Sequence, residues 1–179
     1  MDDLAGRLGR LWVVLITGSI AAACLTVLSI LIQRAIPPTA PGIVPMELAF
    51  TKERLMHILN QWGEAGLTVY LKTMWIDYIY ALSYSFFLAS LFVLSSRDEK
   101  DDTGRLNLLF FSFPFIAAIL DWVENSFHLV YFRNLQHVSE TVVFAVSFIS
   151  LIKWLLAIFV IVSILYNFLR KVFVKMKQT

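Results

Sequence analysis

The chain has 179 residues, 59% of them hydrophobic and 16% charged, and a mean hydropathy of +0.73. Soluble domains run at about 45–50% apolar and about 25% charged, so this composition excludes an ordinary soluble fold and identifies an all-α integral membrane protein. A formal net charge of +2 is too small for a nucleic-acid footprint, so no nucleic-acid partner is expected.

Apolar runs of about 20 residues, enough to cross about 30 Å of hydrocarbon, occur at residues 11–32, 71–95, 106–132 and 141–169. Four transmembrane helices in one bundle are expected, with residues 1–179 forming a single domain because no polar linker separates two cores. In the first run, Gly18 and Ala22, with Ser19, Ala23 and Thr26, place small residues three and four apart, which permits close approach of a neighbouring helix. Ala21, Ala22, Ala23 and Cys24 look like a lipoprotein signal, but the apolar run continues past Cys24, so an uncleaved span is expected. The lone cysteine makes neither an intramolecular disulfide nor a CxxC pair, which excludes dithiol redox chemistry.

The loop over residues 33–66 opens with Pro37, Pro38, Pro41 and Pro45, an extended stretch. An amphipathic helix follows at residues 51–62. Thr51 is placed to cap it, and Leu55, Ile58, Leu59 and Trp62 share one face opposite Lys52, Glu53, Asn60 and Gln61. Such a helix is expected to lie flat in the outer membrane interface, or to cover a site between the spans. Pro114 sits inside the third run and frees the carbonyl of Phe110.

Orientation follows from Lys and Arg near the span ends. Nine of them (Arg7, Arg10, Arg97, Lys100, Arg105, Arg170, Lys171, Lys175, Lys177) fall on one side and five (Arg34, Lys52, Arg54, Lys72, Arg133) on the other. Positive-inside reasoning puts both termini in the cytoplasm, with the basic C-terminal tail against anionic headgroups.

The chemistry-bearing residues lie within the spans. Asp77, Asp121, Glu124, Asn125, His128 and Lys153 are costly in hydrocarbon, at about 2.5–3.5 kcal/mol per charge at a helix centre, and must face protein or water. Asp121, Glu124, Asn125 and His128 follow i, i+3, i+4, i+7, as Asp77, Tyr80 and Tyr84 follow i, i+3, i+7, so each set lines one stripe. At 1.5 Å per residue, Asp77 lies about 10 Å from the outer boundary, Glu124 about 12 Å, Asp121 about 16 Å, Lys153 about 18 Å and His128 about 6 Å. Depth therefore pairs Asp121 with Lys153 and groups Asp77, Glu124 and His128 nearer the surface.

Two carboxylates held close in low dielectric repel each other, and a shared proton relieves them, which is what a general acid beside a general base requires. Glu124, Asp77 and His128 are the candidate acid/base group, with His128 passing protons to the outer water. Asp121, Asn125, Lys153, Tyr80 and Tyr84 would line a ligand site. Glu124, His128 and Asp77 form a weak metal candidate, without an HExxH motif or a second histidine in the span. No cofactor is expected.

Three functions remain open. One is binding of an amphiphile (lipid, isoprenoid or quinone-like), with or without acid/base chemistry on it. The others are a proton- or cation-coupled transporter or channel subunit, built as a homo-oligomer because four helices enclose little room, and a structural or assembly subunit with a partner membrane protein.

Overall fold

The computed structural model describes residues 8–96 and 104–177. Arg7, Arg97 and Lys100, which contribute to the charge count above, lie outside the described residues. Among the described residues the chain is all helical, without strands. Its elements are α1 (Leu11–Ala35), a short α2 (Ile43–Glu47), α3 (Lys52–Ser96), α4 (Gly104–Tyr131), a 3-10 stretch (Phe132–His137) and α5 (Glu140–Met176).

Three helices, α1, α3 and α5, are long and apolar enough to cross a membrane. The fourth, α4, has 28 residues, about 42 Å at 1.5 Å per residue, and its second half carries Asp121, Glu124, Asn125 and His128. Helices α3, α4 and α5 pack against one another pairwise, whereas α1 lies along α3 and touches neither α4 nor α5 among the described residues. The core is thus a triangle of three helices with α1 on one flank. The reason is in α1 itself, whose buried residues Val14, Ala21 and Leu28 recur every seven positions and make one narrow seam. Gly18 falls on this contact: a Cβ there would meet the Phe87 ring of α3 at 2.7 Å.

The apolar face of the stretch at residues 51–62, expected to lie in the interface or to cover a site between the spans, packs on the end of the helical core. Leu55, Ile58, Leu59 and Trp62 are each no more than 4% exposed and share a hydrophobic cluster with Met46, Tyr70, Met74, Phe132, Val143 and Val146. An apolar helical stripe fits a lipid interface or a protein end equally well, and a backbone break decides between them. Gly63, at φ 66° and ψ −177°, interrupts α3, so residues 52–62 turn across the end of the triangle while residues 64–96 run through it. Thr51 caps the segment as its spacing predicts, accepting from the Arg54 amide at 3.2 Å.

Residues 42–62 therefore form a cap. The Trp62 indole donates to the Pro41 carbonyl at 2.6 Å, the Phe50 amide to Ser147 Oγ at 3.0 Å and the Lys52 amide to Glu140 Oε2 at 3.0 Å. Phe50 is held at φ 58°, a left-handed conformation that is costly for a bulky side chain, and its ring packs on Phe144 at 6.0 Å.

Beneath the cap the core has three layers. The apolar layer at the cap end comes first, a layer of polar side chains follows, and the far end holds Phe92, Val160 and Ile164 packed with Leu88, Leu91, Phe110, Phe111 and Phe113. Pro114 is fully buried in α4 next to this last layer.

Gly63→Ala tests the break. Its backbone conformation is essentially restricted to glycine and costs any other residue of order 1–3 kcal/mol. Thermal or denaturant unfolding in detergent should show a loss of that size, and an unchanged midpoint would mean that the chain turns elsewhere.

Candidate functional site

The polar layer is organised around one cation. Lys153 of α5 places Nζ 2.7 Å from Glu124 Oε2 and 3.0 Å from Asp121 Oδ1, both on α4, and 3.4 Å from Glu47 Oε2 on α2. All four residues are buried, Glu124 completely. Three elements thus converge on one ammonium group, which also sits 5.6 Å from the Trp154 ring centroid.

Helix geometry explains the convergence. On α4 the residues at i, i+3, i+4 and i+7 are all buried, while their neighbours Trp122, Val123, Ser126 and Phe127 are exposed. On α5 the buried positions Val143, Val146, Ser147, Ser150 and Lys153 form one stripe facing α3 and α4. The depth-matched pair Asp121 and Lys153 lies in direct contact at 3.0 Å.

The fourth carboxyl group of the layer, Asp77, is anchored separately. Asn125 Nδ2 donates to Asp77 Oδ2 at 2.8 Å, and the Tyr84 hydroxyl donates to Asp121 Oδ2 at 3.3 Å. Tyr80 packs on Tyr84 with ring centroids 5.2 Å apart and the rings tilted by 60°. On the opposite side of the α3–α4 contact, Tyr78 and Ser126 share a hydroxyl hydrogen bond of 2.8 Å and the Trp122 indole donates to the Tyr78 carbonyl at 3.0 Å.

His128 is placed differently from its expected position near the outer water. It is 1% exposed beneath the cap, stacks on Phe132 with centroids 4.9 Å apart, and shares a hydrogen bond of 2.7 Å with Tyr70 through Nδ1. A depth count along one helix takes no account of a cap closing over its end. The weak metal candidate is not assembled either: among the described residues no three His, Cys, Asp or Glu side chains are placed to hold an ion. The Lys153 ammonium fills the place beside Glu124 that such an ion would need.

Glu47 is the residue that sequence reasoning missed. Its carboxylate accepts from the Trp154 indole at 2.8 Å and meets Lys153 at 3.4 Å. Burial pushes the Glu47 carboxyl above its ordinary range, and the Lys153 charge and the Trp154 hydrogen bond pull against that rise. The available signal was an acid flanked by Met46, Leu48, Ala49 and Phe50 in an otherwise proline-rich loop, a pattern that solvent-exposed loops lack.

Glu124 is the least satisfied side chain of the layer. Both of its oxygens are buried without a hydrogen bond, and Oε2 meets the Lys153 ammonium as an ion pair at 2.7 Å while Oε1 has no such contact. An unpaired buried acceptor costs about 1–3 kcal/mol.

Two substitutions separate the parts. Lys153→Met leaves three buried carboxyl groups facing no cation and should cost about 3–5 kcal/mol, the usual penalty for breaking a buried ion pair, read as a lowered unfolding midpoint in detergent. Glu47→Ala leaves the Trp154 indole unpaired and removes one of the ties between the cap and α5, so amide hydrogen exchange across residues 43–62 should quicken by roughly one order of magnitude. Exchange that stays slow there would show that the apolar face and the bonds to Ser147 and Glu140 hold the cap without Glu47. Comparison of the chain with family models, with curated proteins and with solved structures finds no match.

Proposed function

We propose that this protein is a four-span membrane protein that binds an amphiphile, with the ligand's polar head at the Lys153 layer and its apolar part between the helices. In this reading α1, α3, α4 and α5 cross the bilayer, both termini face the cytoplasm and the cap lies on the outer side. The carboxylates then sit within the outer half of the membrane, where unpaired charge is expensive and ionisable residues mark functional sites.

The observation that carries the proposal is Glu124, a fully buried carboxyl with one oxygen on Lys153 and the other without a donor. A hydroxyl or amine head group supplies that donor. Glu47 ties the cap to the same cation, so opening the cap and exposing the site are one event, as in a lid. Where the ligand undergoes acid/base chemistry, Glu124 and Asp77, the latter oriented by Asn125, form the acid/base pair. Tyr70 and His128 then carry the proton beneath the cap, and Lys153 balances Asp121.

The layer at the far end favours a pocket over a transport path. Phe110 packs against Phe92, Phe113 and Phe159 with centroids 6.1, 5.8 and 5.2 Å apart, and these rings close the polar layer from below.

Native mass spectrometry of protein purified from membranes, wild type beside Glu124→Gln, tests the reading, with organic extracts of both preparations compared. The wild type should retain an amphiphile that falls at least about tenfold in the variant, in line with loss of a charged hydrogen-bond partner. Equal retention in both, or an empty wild type, would remove the ligand site and leave a structural role for the layer.

A further inference from the structure

A second feature, remote from the cation layer's chemistry, lies on the outward faces of α3 and α4. Thr68, Leu71, Lys72 and Trp75 follow i, i+3, i+4, i+7 on α3, and Leu129 and Arg133 follow i, i+4 across the end of α4. Together they line a groove of about 360 Å³. Lys72 and Arg133 are both exposed, and among the described residues neither has an ion-pair or hydrogen-bond partner. The groove lining includes no carboxylate.

We propose that this groove binds the headgroup of an acidic phospholipid. The inference rests on the membrane placement of α3 and α4 and is independent of any ligand at Glu124. Two cations without acidic neighbours match a phosphodiester, with the Arg133 guanidinium contributing a planar fork of donors and Lys72 a point charge. Thr68 adds a hydroxyl donor. Trp75, 68% exposed, presents its ring where indoles settle at the headgroup level, and Leu71 and Leu129 offer an apolar floor to the glycerol and first acyl carbons. The same two cations repel the ammonium of a choline or ethanolamine head, so the groove selects phosphatidylglycerol-like lipids over zwitterionic ones.

The test uses the full chain in nanodiscs of equimolar phosphatidylglycerol and phosphatidylcholine, with lipids that remain bound on release counted by native mass spectrometry. The wild type should keep phosphatidylglycerol in preference, on the order of fivefold for each cation, as expected for a basic residue at a charged membrane surface. Lys72→Gln with Arg133→Gln should bring the ratio near one, and Lys72→Arg with Arg133→Lys should retain the preference. Arg34→Gln with Arg54→Gln removes the same charge elsewhere on the cap end and should leave the ratio unchanged. A ratio near one in the wild type, or an equal fall in the Arg34 and Arg54 control, would overturn the site in favour of none or of a diffuse surface charge. Glu124→Gln should not alter this ratio, so the groove and the polar site fail or stand separately.

Discussion

The Lys153 ammonium is the point on which the tertiary structure turns. It meets carboxylates from α4 and from α2 at 2.7–3.4 Å, so it joins the helical core to the cap through a single charge. A buried ion pair adds little net stability over an apolar replacement, since desolvation offsets most of the attraction, yet removal of one partner is costly. Such a cluster serves specificity of arrangement better than stability. An apolar stripe permits neighbouring helices to slide or rotate in register, whereas one cation within reach of three carboxyl groups fixes the rotation of α4 and α5 and the position of α2 together.

The three-layer order follows from that constraint. Polar residues at mid-length are tolerable only where the helices enclose them, and the apolar clusters above and below provide the enclosure. The cap completes it at one end. Its cost is visible in the backbone, at Phe50 with φ 58° and Gly63 with φ 66°, and its return is the burial of Leu55, Ile58, Leu59 and Trp62 together with the contacts to Ser147, Glu140, Trp154 and Lys153. Most of these ties run to α5. The cap is therefore joined to α3 through the break at Gly63 and fastened on α5.

The features that were legible in the sequence are those set by local geometry. Helix periodicity put Asp121, Glu124, Asn125 and His128 on one stripe, and depth matched Asp121 to Lys153, because rise and rotation per residue are properties of one helix. Span positions were readable for the same reason, with residues 11–32 and 141–169 falling inside α1 and α5. The cap was readable only as one of two alternatives. Its amphipathic stripe was plain, but periodicity reports that a face is covered and says nothing of what covers it. Glu47 and the burial of His128 depend on where a proline-rich loop returns after leaving α1, a long-range matter decided by packing on Tyr70, Phe132, Val143 and Val146. The flank position of α1 was equally hidden, since an apolar helix gives the same signal at the centre of a bundle and at its edge.

The groove on the outward faces of α3 and α4 lies close to the polar layer. Leu71 and Leu129 line the groove on one side and pack against the cap-end cluster on the other. Their chain neighbours Tyr70 and His128 are the hydrogen-bonded pair at the top of the polar layer. A single thickness of side chain thus separates the groove from the cap-end cluster above the polar layer. Above that pair the Trp62 and Tyr70 rings meet edge to face at 5.4 Å, so one tyrosine joins the underside of the cap to the histidine of the polar layer.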